Sequence, residues 1–244
     1  MKSSIYLPGL LAACIGLVTA AIAMPASANL SETKRWEFKV LLDDREIGYH
    51  EFKVDRNGSS RRVESRASFD VKILFINAYR YRHQNVENWN DDCLTDIDAA
   101  TDANGEKFAV TGNRDENGFS LRTGNSEASL PQCVMSFAYW NPELLKASRL
   151  VNTQTGEYEN VEISFDGSDA IEVDGRVVPA DRYLIQLDEG PITVWYAKKV
   201  RRWLALESVA KGGRILRYQP VSLPTPANAT MAKSSNDGAA SNDA

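Results

Sequence analysis

The stretch WEFKVLLDDREIGYHEFKV, residues 36–54, decides the fold class. Trp36, Phe38, Val40 and Leu42 take every second position, with Glu37 and Lys39 between them. Asp43-Asp44 then opens a turn, and a second run from Ile47 to Val54 follows. Apolar residues at period two, with charges on the other face, mark a half-buried antiparallel strand. Two such runs joined by two turn-forming residues read as a hairpin.

Outward from this hairpin the pattern continues. Asn57-Gly58 marks a turn, and Val63, Ala67, Phe69, Val71 and Ile73 alternate along a long third strand. Tyr79, Tyr81 and His83 alternate on a fourth, opposite Arg80, Arg82 and Gln84. Asn104-Gly105, Asn117-Gly118, Asp166-Gly167 and Asp174-Gly175 punctuate the remainder, and such pairs reach positive φ at low cost. Later strands read as Val161–Phe165, Tyr183–Leu187, Ile192–Tyr196, Trp203–Ser208 and Ile215–Tyr218. With no long helical stretch between them, the expectation is an all-β domain, a curved antiparallel meander forming a half-barrel, barrel or sandwich.

One segment lacks alternation. CVMSFAYWNPELL, residues 133–145, is apolar and aromatic, and Pro142 suits the first turn of a short helix. It reads as a short helical or irregular plug that caps the sheet or lines a cavity.

The N-terminus bears on compartment. Lys2 precedes an uncharged apolar run from Ile5 to Met24, and Pro25-Ala26-Ser27-Ala28 supplies an A-x-A site. Residues 1–28 therefore read as a cleaved signal peptide, implying a periplasmic protein. Two alternatives are a lipobox, Leu11-Ala12-Ala13-Cys14, that would acylate Cys14, and an uncleaved membrane helix. Residues 29–222 form the β domain. Residues 223–244, rich in Pro, Ala, Ser, Asn and Asp, read as a disordered tail. The formal net charge of −5 gives no footprint for a nucleic-acid partner. After removal of Cys14, Cys93 and Cys133 remain, and a lone pair in an oxidising compartment favours a disulfide.

Several of these residues together carry a resemblance. Ile47-Gly48-Tyr49-His50, Tyr81 to His83 ahead of Glu87 and Trp89, Ser136-Phe137-Ala138-Tyr139-Trp140-Asn141-Pro142, and Trp203-Leu204-Ala205-Leu206-Glu207-Ser208 resemble a family of uncharacterised proteobacterial secreted proteins. More distantly, the chain resembles a larger group of periplasmic proteins of unknown function. The likeness covers nearly the whole mature domain. It implies an exported β protein and carries no catalytic residues. By fold analogy the layout is similar to the curved sheets of periplasmic lipoprotein carriers, which hold acyl chains in a half-barrel.

Catalytic motifs are sparse. With only two histidines, His50 and His83, a three-histidine metal site is excluded, and no H-E-x-x-H, G-x-S-x-G or phosphate-loop pattern occurs. No cofactor is implied. Asp91, Asp92, Asp96, Asp98 and Asp102 lack the spacing of a calcium loop and read as a solvated hairpin face. The favoured reading is a non-enzymatic binding or carrier protein for an apolar or lipid-like ligand, or for an envelope partner. Its candidate binding residues are Phe137, Tyr139 and Trp140 of the plug, facing Tyr79, Tyr81 and His83. Lys198, Lys199, Arg201 and Arg202 form a basic turn suited to peripheral contact with anionic lipid. The alternatives are a hydrolase or isomerase using His83 with a carboxylate, and a purely structural envelope component.

Overall fold

The computed structural model describes residues 31–225 except 74, 75 and 211. The signal peptide, the lipobox cysteine and most of the expected tail lie outside the described residues. The first eight strands are β1 (Glu32–Leu42), β2 (Arg45–Asn57), β3 (Ser60–Ile73), β4 (Ile76–Asn90), β5 (Cys93–Ala103), β6 (Glu106–Arg114), β7 (Phe119–Thr123) and β8 (Ser126–Leu130). A 3₁₀ turn (Pro142–Lys146) and the short pair β9 (Arg149–Val151) and β10 (Tyr158–Asn160) follow. The chain continues with β11 (Glu162–Val173), β12 (Arg176–Gln186), β13 (Ile192–Ala197), β14 (Trp203–Ala210) and β15 (Arg214–Ser222).

Thirteen of these strands make one curved antiparallel sheet in the order β11-β12-β13-β14-β15-β1-β2-β3-β4-β5-β6-β7-β8. β1 pairs with β2 on one side and with β15 on the other, so the two ends of the domain meet in the middle of the sheet. The sheet stays open, with β8 and β11 at its edges. Residues 131–161 connect those two edges, and this return crossing is the plug. Its Val134, Ala138, Trp140, Leu144, Leu150 and Val151 join one core with Trp36, Phe38, Val40, Phe52 and Val63 from the sheet. The crossing therefore covers the apolar face of a sheet that does not close on itself.

The alternation read in β1 is realised in full: Trp36, Phe38, Val40 and Leu42 are buried, while Glu37 and Lys39 are exposed. Asp43-Asp44 takes positive φ at both positions, as a type I′ hairpin requires, and Asp43 is held there by Arg214 and by the Ile215 backbone amide. Asn104-Gly105 and Asp174-Gly175 do the same.

Three expectations need correction. The turn after β2 centres on Gly58-Ser59, with Asn57 still paired to Ser60. Asp166-Gly167 is no hairpin. It is a bulge inside β11, where the register slips between Phe165 and Ser168, and the strand continues to Val173. A glycine at positive φ serves a bulge as readily as a turn, which is why the dipeptide misleads. Asn117-Gly118 belongs to a longer connection, closed by Asp115 N–H donating to Gly118 O at 2.9 Å. Beyond β15, Leu223 packs against the core and Arg202 donates to Pro224 O.

Cys93 and Cys133 form a disulfide that joins the start of β5 to the start of the plug. Leu94 N–H donates to Val134 O at 2.9 Å beside it, so the crossing is tied to the sheet both covalently and through the backbone.

Candidate functional site

Between the plug and the concave face lies a cavity of about 230 Å³. Its floor is built by strand register. Across β2, β3, β4 and β5, His50, Ala67, His83 and Thr101 stand in one row. The next inward-facing row is Phe52, Ser65, Asn85 and Ala99, and the next is Val54, Val63, Glu87 and Ile97. Along β4 this places Tyr81, His83, Asn85, Glu87 and Trp89 on one face, because alternate side chains point the same way. Three of those five are polar and buried, an unusual content for the inside of a β sheet.

Each polar group has a defined setting. His50 Nδ1 lies 2.9 Å from Tyr218 Oη, and its Nε2 lies 2.7 Å from Ser65 Oγ. The ring stacks on Phe52 at 4.1 Å between centroids. His83 Nδ1 lies 2.8 Å from Thr101 Oγ1, and Nε2 faces Thr153 of the plug at 3.5 Å. Burial depresses both histidines, His83 to about 4 and His50 well below its ordinary value, with the charge of His83 acting in the same direction on His50. Both rings are therefore neutral at neutral pH.

Glu87 is fully enclosed, and its carboxylate accepts from Asn85 Nδ2 at 3.0 Å and from Trp89 Nε1 at 3.0 Å. Burial pushes its pKa up, against the pull of hydrogen bonding by Asn85 and Trp89. With Asn85 Nδ2 committed to Glu87, the other end of that amide, Oδ1, is buried without a partner. An orphan acceptor of this kind costs about 1–3 kcal/mol unless something supplies a donor.

The roof comes from the plug. Phe137, Ala138, Tyr139 and Trp140 line the cavity, with Asn152, Thr153, Gln154 and Glu159 at one side. Tyr139 is fixed by Tyr196, whose hydroxyl donates to the Tyr139 carbonyl at 2.8 Å, and by its ring lying 5.4 Å from Trp203. Tyr81 donates to Gln154 Oε1 at 3.0 Å, joining floor to roof.

Of the six candidate ligand residues, Tyr81, His83, Phe137, Tyr139 and Trp140 line this one cavity. Tyr79 does not. It is 39 % exposed, because β4 projects beyond the region the plug covers. His50, Ser65, Asn85, Glu87 and Ser136 were not singled out as site residues, yet all of them line it. Asn85 and Glu87 had a signal in the sequence, since they continue the period-two series of Tyr81 and His83 into Trp89.

No carboxylate is hydrogen-bonded to His83 among the described residues. Glu87 is four positions away on the same strand, roughly 13 Å along it. The described residues hold no group of three or more His, Cys, Asp or Glu placed to bind a metal ion. In the basic turn, Lys198 contacts Ser168 and Asp181, and Arg201 contacts Pro142 O and Glu143. Arg202 reaches Pro224 O, so much of this turn's charge faces protein groups.

No curated protein matches the chain. Its structure is similar to the crystal structure of a beta-barrel-like protein of the domain of unknown function DUF1849 from Brucella abortus, with a TM-score of 0.59 at 10 % sequence identity. The match covers 80 % of this chain and 98 % of that one, a likeness of fold. The profile of a second group matches from β1 through β15, so it spans the curved sheet, the plug and every residue of the cavity. Over residues 38–221 the chain belongs to the family described as domain of unknown function DUF6134.

Proposed function

We propose that the protein is a binding or carrier module that takes a small amphipathic ligand into the cavity between the sheet and the plug. The observation that carries this reading is the division of the cavity wall. Phe52, Phe137, Tyr139 and Trp140 supply apolar surface, and the floor supplies polar groups that include the unpartnered Asn85 Oδ1. A plain core would have been filled with apolar side chains, since buried polar atoms cost free energy. Burying the ligand's apolar part contributes about 0.8 kcal/mol per methylene. At about 230 Å³ the cavity is below the roughly 300–1,000 Å³ typical of sites for drug-sized ligands, so it suits one short chain or ring rather than a diacyl lipid.

The catalytic alternative is less well supported. His83 is held by two hydroxyl groups, and a histidine with a pKa of about 4 is a poor proton acceptor at neutral pH. Export to an oxidising compartment, as the N-terminal sequence suggests, accords with the disulfide that anchors the plug.

The test is titration with the neutral fluorescent probe N-phenyl-1-naphthylamine. Saturable binding to the wild type, weakened about tenfold or more in Phe137→Ala at unchanged melting temperature, is the expected result. Non-saturable binding in the wild type, or equal binding by the variant, would sink this reading.

A further inference from the structure

The charges around the cavity select the ligand's head group. The carboxyl side chains lining the cavity are Glu87 on the floor and Glu159 and Glu189 at the side. No lysine or arginine lines the cavity. The two histidines add no positive charge, being buried and committed to hydroxyl groups. Glu159 accepts from Asn152 Nδ2 at 2.8 Å, and it also feels Glu157, Asp188 and Glu189. These neighbours raise its pKa after burial does, which is the sign expected of a negative field around it. The interior adds a further acceptor in Asn85 Oδ1, on a side chain that is 7 % exposed. Aromatic faces of Phe52, Tyr81, Phe137, Tyr139 and Trp140 complete the wall.

The contrast with the opposite side of Trp140 sharpens this reading. A second cavity of about 520 Å³ shares Trp140 but is lined by Lys34, Arg56, Arg61, Arg201 and Arg202 as well as by three acids. The chain thus places its cations on one side of this tryptophan and keeps them out of the other. Fatty acids and phospholipid head groups would meet no cationic side chain of lysine or arginine in the smaller cavity.

Building on the ligand-binding reading above, we propose that the cavity recognises an organic ammonium, an alkyl- or arylalkylamine. Its cationic head would lie among Glu159, Glu189 and the aromatic faces, and its short apolar part would lie under the plug. Carboxylates and ring faces both attract an ammonium. Asn85 Oδ1, an acceptor with no donor, adds a second polar anchor on the floor.

The experiment is displacement of N-phenyl-1-naphthylamine from the full chain by three ligands of equal length: octylammonium chloride, 1-octanol and sodium octanoate. Phe137 lines the smaller cavity and not the basic one, so loss of probe binding in Phe137→Ala assigns the displaced signal to the smaller cavity. Octylammonium is expected to displace the probe at about tenfold lower concentration than octanol, with octanoate the weakest. The double variant Glu159→Gln/Glu189→Gln should erase the preference of ammonium over alcohol while leaving octanol unchanged. Octanoate displacing as well as octylammonium, or a preference that survives the double variant, overturns the ammonium assignment and leaves the binding reading intact. Absence of both probe binding and calorimetric octylammonium binding overturns both.

Discussion

His50 and His83 stand in the same row of the sheet, two strands apart, with only the methyl group of Ala67 between them. Strand spacing sets their Cα separation near 10 Å. Both rings point toward the plug, and each is satisfied by hydroxyl groups from other strands or from the crossing chain. The chain's whole histidine content is thereby concentrated on the floor of one cavity.

His50 on β2 links the C-terminal strand to the neighbouring sheet, because it bonds Tyr218 of β15 and Ser65 of β3. His50→Phe keeps the ring but leaves both hydroxyl groups without that partner. Urea unfolding should show a loss of about 2 kcal/mol or more. Adding Tyr218→Phe should recover part of it, and full additivity of the two changes would contradict the pairing.

Acid should destabilise the fold in a defined window. The folded pKa of His83 is depressed to about 4, below the ordinary value of 6.5, so the unfolded chain takes up the proton first. Stability is then fully present above pH 6.5 and is lost progressively as pH falls toward 4. Between pH 7 and 5 this one group accounts for roughly 2 kcal/mol, and His50 acts in the same direction. Glu87 acts oppositely, since its raised pKa makes the folded state the better proton acceptor as pH falls toward the usual carboxylate range. Urea midpoints at the two pH values should therefore drop less in His83→Gln than in wild type. An equal drop would show that His83 is not held neutral.

Reduction should loosen the crossing. The Cys93–Cys133 bond closes a separation of 40 residues, which corresponds to about 4 kcal/mol on the chain-entropy account. The melting temperature of the wild type should fall on adding a thiol reductant, and that of Cys93→Ala/Cys133→Ala should not respond to it.

Gly48 should tolerate no side chain. Its φ is 155°, and a Cβ there would sit 1.8 Å from the Ser68 carbonyl oxygen on β3. Gly48→Ala must push β2 and β3 apart two residues from His50. A loss of about 3 kcal/mol or more by thermal or urea unfolding is expected, reflecting both the strain and the broken pairing.

Trp140 separates the acidic cavity from the basic one and packs edge-on against Trp89 at 5.5 Å, with Arg61 over its ring at 5.7 Å. Trp140→Ala should join the two cavities and cost about 3–5 kcal/mol of stability. Trp140→Phe should retain most of the fold, and a crystal structure of the alanine variant would show whether the two cavities become continuous.

The sequence by itself determined the all-β class and its antiparallel hairpins, because strand alternation and hairpin turns are local, while half-barrel, barrel and sandwich stayed open. Trp36, Phe38, Val40 and Leu42 announce a buried face through period two alone, and Asp43-Asp44 announces its turn through a backbone conformation that few residues adopt readily. The plug was also legible, since residues 133–145 break that period while remaining apolar and aromatic. Only the tertiary structure decided which residues share the cavity. His50 and His83 are 33 positions apart, and nothing local specifies that one intervening strand sets them in the same row. Tyr79 alternates with Tyr81 as the sequence suggests, but its exposure depends on how far the crossing reaches along β4. The face of Glu87 and Asn85 was legible from their period-two spacing, but their burial was not. On a bare strand they read as solvated polar residues, and only the return of the chain from one open edge to the other takes the water away.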